Sequence, residues 1–340
     1  MASSRPAVAL GDPSLDAAIG AGMDRVEAKL ALTVDSPDQL VADASAHLLR
    51  SGGKRLRPLL VLLASSLGRG IDDQVVDAAV VVELTHLASL YHDDVMDAAP
   101  LRRGAPSAHE AFGPSVAILT GDLLFAKASQ IVAGLGPEMV RLQAETFERL
   151  CLGQIHETVG PRGEDDPVAF HLQVLADKTG ALIATSARFG ALLGGCPPAI
   201  VEALVGYGEA VGVAFQLADD IIDLTSPAEV TGKTPGTDLR EGVPTMPQLL
   251  VQAAARRDLA DGVAGSPDVA LANAIEGDLS GDAALAAVVD QLRANPALEE
   301  SRRIATTWAN RAVAELAPLP KGPVRRALTD IADLFVSRLS

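Results

Sequence analysis

Apolar residues recur at helical spacing along most of the chain. Two long periodic stretches, residues 75–91 and 115–135, contain few helix breakers and predict helices. Further helices are predicted over residues 171–193, where two glycines follow, and over residues 201–224. The sequence shows neither an alternation of strand and helix patterns nor a repeat of about 20–50 residues. The pattern therefore predicts an all-α fold.

Three segments interrupt the helical pattern. Residues 161–167 read PRGEDDP, which is typical of a polar connection between helices. Residues 225–247 mix several glycines and prolines with polar residues, which predicts a functional loop, and residues 262–282 are predicted to be rich in loops. With no other break, we expect one helical domain over residues 37–340, preceded by an N-terminal extension over residues 1–36.

Composition narrows the functional classes. A chain of 340 residues with 48% hydrophobic residues can bury a substantial core, and an aromatic content of 3% favours helices packed through small side chains. The formal net charge of -16 would repel a phosphate backbone, so nucleic-acid binding is not expected.

Targeting signals and cysteines point to the cytoplasm. Cys151 and Cys196 lie far apart, without the spacing of a disulfide framework or a zinc site. The N-terminal residues lack the order of a signal peptide, and no apolar run approaches the roughly 20 residues that span a bilayer. We therefore expect a soluble cytoplasmic protein with no transmembrane segment.

Two clusters of carboxylates stand out because they interrupt apolar helical stretches with the same spacing. Magnesium binds one or two carboxylates and shares its other coordination positions with water and substrate phosphates. A single cluster is explained equally well by a solvated helix face, but the repetition favours a site that binds a diphosphate through Mg²⁺. The clusters consist of Asp93, Asp94 and Asp97, and of Asp219, Asp220 and Asp223.

Basic residues accompany these acids. Lys54 and Arg57 lie in the segment GGKRLRP, and Arg102 and Arg103 follow the first acid cluster closely. Taken singly, such residues are more often surface charges. Their closeness to acids and glycines favours phosphate binding, in which arginine offers a bidentate fork and lysine a point charge.

The motifs, taken in order, resemble those of the trans-isoprenyl diphosphate synthases, the polyprenyl synthetase family, and most closely its bacterial medium- and long-chain members. The resemblance covers residues 52–247 and implies a single bundle of long helices around a central cavity. It also implies a homodimer and three Mg²⁺ ions when the allylic diphosphate is bound. The motifs are GGKRLRP, HLASLYHDDVMD, LRRG, GDLLFAKA, KTG, FQLADDIIDL and GKTPGTDLREG.

The resemblance implies a transferase that condenses isopentenyl diphosphate with an allylic diphosphate, head to tail and in trans. Asp93, Asp97 and Asp219 would bind the ions directly, with the other three aspartates in support. Without the resemblance, ordinary core or capping roles would be the simpler interpretation of the histidine, threonine and glutamine in this set. The implied roles are Lys178, Arg102 and Lys233 on the allylic diphosphate, Lys54, Arg57, His86 and Arg103 on isopentenyl diphosphate, and Gln216 and Thr179 beside the carbocation.

One position departs from the family pattern. Similar enzymes commonly carry a second lysine after Glu241 and Gly242, where this chain has Val243 and Pro244. We expect a weaker hold on the allylic diphosphate and not inactivity, because the other cations remain.

Three small residues predict the length of the product. Thr85, Ala88 and Ser89 lie one to two helical turns before Asp93, at about 5.4 Å per turn, beneath the growing tail. Short-chain enzymes that this chain resembles carry a bulky aromatic residue at the position of Ala88 or Ser89. Its absence predicts a medium- or long-chain polyprenyl product, with geranylgeranyl diphosphate as the shorter alternative. The simpler interpretation is that these residues only allow close helix packing.

Three other functions compete with this prediction. A terpene cyclase also uses a DDxxD metal site in a helical fold, but it needs no isopentenyl site, so Lys54, Arg57 and Arg103 argue against it. A non-catalytic subunit of a heteromeric synthase would be expected to carry a degraded aspartate motif, whereas both motifs are intact. A helical scaffold would show no metal-dependent binding of a diphosphate.

Overall fold

The computed structural model describes residues 10–163, 165–226 and 234–337. These residues form α-helices joined by short connections, together with one π-helical turn (Ala176–Gly180) and a ribbon of two short strands. The strands are β1 (Leu101–Arg102) and β2 (Ala105–Pro106), and the helices are α1 (Pro13–Val34), α2 (Gln39–Arg50), α3 (Leu56–Ser65), α4 (Asp73–Met96), α5 (Ala108–Phe112), α6 (Pro114–Ala133), α7 (Pro137–Val159), α8 (Pro167–Leu175), α9 (Ala181–Leu193), α10 (Pro198–Thr225), α11 (Thr237–Glu241), α12 (Met246–Ala260), α13 (Pro267–Ile275), α14 (Asp282–Ala294), α15 (Pro296–Glu315) and α16 (Pro323–Ser337).

The chain divides into two compact units. The first comprises residues 1–150, 181–209 and 314–331, and the second comprises residues 151–180, 210–313 and 332–340. Helix α1, which lies in the predicted N-terminal extension, belongs to the first unit and buries Ile19, Val26 and Leu30 completely. The single domain predicted over residues 37–340 stays a prediction.

The core of the first unit is built around α4. Most side chains of this helix from Val75 to Ala88 are buried, as expected of a helix that is apolar on all sides. Its Tyr91 is completely buried, and the hydroxyl donates a hydrogen bond to the carbonyl oxygen of Ala44. Helices α3 and α9 approach so closely that a Cβ added to Gly190 would collide with the backbone of Val61. Small residues therefore set the helix spacing, as the low aromatic content predicts.

The core of the second unit lies along the C-terminal half of α10. Apolar residues of this helix pack with residues of α12, α13, α14 and α15 in one cluster of buried side chains. Asp219 and Asp223, one turn apart, are partly exposed, whereas Asp220 is buried on the same side of α10 as Leu217 and Leu224. Members of this cluster include Val213, Leu217, Ile221, Leu224, Met246, Val251, Leu271, Leu285, Val289 and Leu292.

Comparison with the predicted elements gives a mixed result. The helices predicted over residues 75–91, 115–135 and 201–224 correspond to α4, α6 and α10, and the connection over residues 161–167 joins α7 to α8. The helical pattern predicted over residues 171–193 is confirmed, and it ends at Leu193 as expected, but it contains a π-helical turn between α8 and α9 that the pattern did not predict.

Both predicted loop regions contain a helix. The prediction for residues 262–282 is wrong over α13, which begins at a Ser-Pro pair where the Ser266 hydroxyl accepts a hydrogen bond from Val269 N at 3.1 Å. Residues 225–247 include α11 and the start of α12. Residues 227–233 of that segment lie outside the described part of the chain.

Three helices, α4, α6 and α10, are long and apolar enough to cross a membrane by length and composition alone. The expectation that no apolar run approaches membrane-spanning length is therefore not upheld. The absence of a transmembrane segment stays a prediction.

Candidate active site

The first acid cluster lies at the C-terminal end of α4. Asp93 is half-buried, Asp94 is completely buried, and Asp97 is the exposed C-cap residue, whose backbone N–H donates to Asp93 O at 2.8 Å. Ala98 then leaves the helix with a left-handed backbone (φ 48°). The predicted spacing of Asp93 and Asp97, one turn apart, is confirmed.

Arg102 of β1 compensates only part of this negative charge. Its Nε and Nη2 both approach Asp94 Oδ1, at 2.6 and 2.5 Å. Asp94 Oδ2 is buried and accepts no hydrogen bond. Because a buried carboxylate oxygen without a partner is costly, this atom is suited to a further cation or donor.

Helix α6 fixes the residue that precedes Asp93. The Nε2 atom of His92 lies 3.1 Å from the carbonyl oxygen of Ile118 and 3.3 Å from Asp122 Oδ1. Gly121 faces the imidazole so closely that a Cβ at this position would collide with it. The GDLL segment of the sequence therefore packs directly against His92, the residue before the first acid cluster.

The second acid cluster lies at the C-terminal end of α10. Asp220 is buried, and its Oδ2 lies 3.2 Å from His171 Nε2 and accepts a hydrogen bond from Met246 N at 3.0 Å. Asp223 Oδ2 accepts from Asp238 N at 3.3 Å. These contacts fasten the end of α10 to α8, α11 and α12. Nothing local in the sequence marks His171 or Met246 as a partner of Asp220, because these residues meet only in the fold.

Electrostatics disfavours both clusters unless cations join them. The C-terminal end of a helix carries a partial negative charge, and the last turns of α4 and α10 contain no basic residue. Within the described part of the chain, no group of three or more His, Cys, Asp or Glu side chains could hold a metal ion by itself. A divalent ion at either cluster would need water and phosphate oxygens to complete its coordination.

The predicted isopentenyl diphosphate residues all belong to the first unit. Lys54 is exposed, and Arg57 is partly buried with an Nε that has no hydrogen-bond partner. Burial lowers the pKa of Arg57 to about 10, with Glu83 opposing the shift, so its guanidinium stays charged at neutral pH. Burial, reinforced by the nearby arginines, lowers the pKa of His86 well below its usual value and leaves the ring neutral. Arg103 donates to the carbonyl oxygen of Gly52.

Lys178 and Thr179 lie in the π-helical turn of the second unit. Lys178 Nζ forms an ion pair with Glu157, and Thr179 is buried. Two glycines allow the turn to form: a Cβ on Gly153 would lie 2.7 Å from Lys178 N, and one on Gly212 would lie 2.6 Å from Gly180 Cα. Such turns often occur at functional sites, because they change the direction of one side chain.

Gln216, which is half-buried on α10, belongs to the same unit as the π-helical turn. Lys233 lies outside the described residues. The two acid clusters belong to different units, so their convergence on one substrate stays a prediction.

The three predicted length-determining residues lie along one face of α4. Thr85 and Ala88 are buried and Ser89 is half-buried. Thr85 Oγ1 accepts a hydrogen bond of 2.7 Å from Gln143 Nε2 on α7, and Gln143 Oε1 is buried without a partner. Gln143 could not be found from the sequence, because nothing local marks it as a neighbour of Thr85.

Comparison with known proteins agrees with this geometry. The family model for polyprenyl synthetase matches residues 38–266. The chain belongs to the polyprenyl synthetase family. It is a prenyltransferase, and the family, the all-α fold and the enzyme class predicted from the sequence are confirmed.

Several members of the polyprenyl synthetase family are similar over nearly their whole length. The nonaprenyl diphosphate synthase of Mycobacterium tuberculosis is 44% identical, with 97% of this chain and 96% of that protein covered. Component 2 of the heptaprenyl diphosphate synthase of Geobacillus stearothermophilus is 36% identical, with 92% and 94% covered. A crystal structure of the Corynebacterium glutamicum geranylgeranyl pyrophosphate synthase, complexed with calcium and isoprenyl diphosphate, matches with a TM-score of 0.83 and 40% identity, covering 98% of this chain and 99% of that one.

The close packing of Gly212 gives a test of the π-helical turn in this synthetase. In Gly212→Ala the added methyl group must displace the backbone of Gly180, and Lys178 and Thr179 move with it. We expect prenyl transfer to fall on the order of 10- to 100-fold, because small misplacements of reacting groups are costly. The free energy of unfolding should fall by about 1–3 kcal/mol.

Gly265→Ala is the matched control, because Gly265 has no atom within 4 Å of the added Cβ and should leave both quantities unchanged. Turnover and thermal unfolding are measured on the same preparations. Unchanged turnover in a folded Gly212→Ala variant would contradict a catalytic role for the turn.

Proposed function

We propose that this polyprenyl synthetase condenses isopentenyl diphosphate with an allylic diphosphate, head to tail and in trans, with magnesium as its cofactor. The observation that carries this proposal is the placement of a carboxylate cluster at the negative end of each of two apolar helices, α4 and α10. The similar synthase crystallised with calcium and isoprenyl diphosphate supports it. Calcium and magnesium are both hard cations that prefer oxygen ligands.

The aspartates fit the proposed ions by chemistry and charge. Asp93, Asp97 and Asp219 would bind the ions directly, and we propose three ions with the allylic diphosphate present. Magnesium, when bound, supplies neutralising charge to the departing diphosphate. The supporting aspartates are Asp94, Asp220 and Asp223, of which Asp94 has a buried oxygen without a hydrogen-bond partner.

The allylic diphosphate would be held by Arg102, Lys178 and Lys233. Arg102 forms an ion pair with Asp94, and Lys178 forms one with Glu157. When the substrate binds, each cation would contact the diphosphate in addition to its carboxylate or in place of it. Val243 supplies no further cation here, in agreement with a weaker hold on this substrate.

Isopentenyl diphosphate would be held by Lys54, Arg57, His86 and Arg103 without a metal. A neutral His86 can donate one hydrogen bond to a phosphate oxygen without adding charge. The double bond of isopentenyl diphosphate supplies the electron pair of the new carbon–carbon bond.

The carbocation that accepts this electron pair would lie beside Thr179 and Gln216. Their oxygen atoms present the negative ends of dipoles to it. The released diphosphate then takes the proton that the product loses.

The activity itself is tested with labelled isopentenyl diphosphate and each allylic primer in turn, with mass analysis of the products. We expect elongation only when magnesium and both substrates are present. Asp93→Asn and Asp219→Asn should each lower turnover on the order of 100-fold or more, because each removes a charge that would hold a metal ion.

Asp73→Asn is the control on α4, since its side chain is 98% exposed at the far end of that helix. Product formation from the allylic primer alone would indicate a cyclase. Full activity of the Asp93 and Asp219 variants would rule out the proposed metal sites.

We further propose a medium- or long-chain polyprenyl product. The relatives named above include a geranylgeranyl and a nonaprenyl diphosphate synthase, so membership of the family is compatible with products of different lengths. The absence of an aromatic side chain at Ala88 and Ser89 supports the longer end of the range.

Ala88→Phe tests this proposal, because the ring would form a floor one turn below Asp93. We expect the main product to shorten by several isoprene units, measured by chromatography of the dephosphorylated products. Ser89→Ala keeps the position small and should leave the distribution unchanged. An unchanged distribution in Ala88→Phe would refute the tunnel floor.

We propose a cytoplasmic homodimer as the working form. Helices α6 and α7 expose apolar side chains within the first unit, including Leu119, which is 66% exposed, and Phe147, which is 37% exposed. The 18-residue apolar window of α6 is only 33% buried, although its composition would suit a helix core. An apolar face of this kind is typical of a surface that another chain covers.

Sedimentation of the purified chain tests the homodimer. We expect a dimer for the wild type and a monomer for Leu119→Asp, since a charge would be buried in the interface. Leu32→Asp, on α1, is the control, because Leu32 is 76% exposed and should tolerate the charge. A monomeric wild type that becomes active only with an unlike subunit would contradict the proposal.

A further inference from the structure

Arg55 has an unusual environment in the loop before α3. Its backbone is left-handed (φ 49°, ψ 36°), and the residue is only 7% exposed. The guanidinium donates from Nε to Glu27 Oε1 at 2.6 Å and from Nη1 to Glu83 Oε1 at 2.9 Å. It also donates to the carbonyl oxygens of Leu49 at 3.1 Å and Gly52 at 3.3 Å. One side chain therefore joins α1, the end of α2 and α4.

The left-handed backbone at Arg55 carries a free-energy cost that a glycine would avoid. Such a conformation persists only where the surroundings hold it, and it tends to occur at functional sites. Here the four hydrogen bonds of the guanidinium hold it. This conformation sets the path of the chain from Lys54 to Arg57, the two cations proposed to bind isopentenyl diphosphate.

Charge distinguishes Arg55 from the other cations of this region. Two carboxylates compensate its guanidinium, and Glu83 is itself only 2% exposed. Within the described residues Arg57 forms no ion pair and its Nε has no hydrogen-bond partner, so its charge is available to a ligand. Glu83 also lies one turn before His86 on α4, and thereby links the loop to that helix.

We propose that Arg55 and Glu83 act as positioning residues for isopentenyl diphosphate: their buried ion pair holds the 52–57 loop so that Lys54 and Arg57 face the metal-free diphosphate. This inference rests on the proposed isopentenyl site. Glu83 touches no substrate in this arrangement. Its carboxylate acts through Arg55.

A purely electrostatic role for Glu83 predicts the opposite result. A carboxylate near an anionic substrate weakens binding through repulsion, so its removal should tighten isopentenyl diphosphate. If Glu83 positions the loop, its removal should weaken binding, because the left-handed backbone at Arg55 loses the more buried of the two carboxylates that hold it.

The experiment measures KM for isopentenyl diphosphate and for the allylic primer separately in Glu83→Gln, a variant of nearly the same shape. We expect KM for isopentenyl diphosphate to rise about 10-fold and KM for the primer to stay within about two-fold. Arg55→Lys keeps the charge but loses the fork, and should behave in the same way. Glu209→Gln, which removes an ion pair with Arg149 elsewhere in the same unit, should change neither value.

A lower or unchanged KM for isopentenyl diphosphate in Glu83→Gln overturns the proposal. An equal rise of both KM values also overturns it, because that result indicates a general loss of structure. If Glu83→Gln does not fold, Arg55→Lys decides by the same two measurements. A wild-type enzyme without isopentenyl-dependent turnover would instead overturn the proposed function itself.

Discussion

Anionic side chains at the negative ends of two buried helices are the constraint on which the site depends. Helices α4 and α10 are apolar enough to form cores, yet each ends in three aspartates with no basic residue in its last turn. Neither the helix dipole nor local packing stabilises this arrangement. It becomes favourable once cations arrive from elsewhere in the fold and from the solvent. The acid clusters are therefore suited to the metal ions and the diphosphate proposed for them.

Three buried charged side chains are each held by a partner on another element of the same unit. Asp94 is held by Arg102 of the β-ribbon, Asp220 by His171 and the backbone of α12, and Arg55 by Glu83. A buried charge is tolerated only with such partners, so these contacts fix the helix ends more tightly than apolar packing alone. The same contacts leave particular atoms, such as Asp94 Oδ2, without a hydrogen bond. One carboxylate can thus hold a helix end through one oxygen and leave the other oxygen for a ligand.

Periodicity sufficed to predict α4, α6 and α10, because apolar spacing is a local property of the sequence. The π-helical turn could not be predicted in this way, since it depends on the backbone passing close to Gly153 and Gly212. Helix α13 was missed although a Ser-Pro pair marks its start, because glycines on both sides suggested a loop. The aspartates were found through their repetition, whereas Arg55 and Glu83 are 28 residues apart and only the fold brings them together.

The low aromatic content has one further consequence. Helices that approach through small residues, as α3 and α9 do at Gly190, need no large rings to fill their interfaces. The same preference leaves Ala88 and Ser89 small below the first acid cluster, where a tail would need space. In the proposed tunnel, the hydrogen-bonded pair of Thr85 and Gln143 would form a deeper limit, because an apolar chain could pass it only by separating two buried polar groups. The proposed product length would therefore follow from the same small side chains that allow close helix packing.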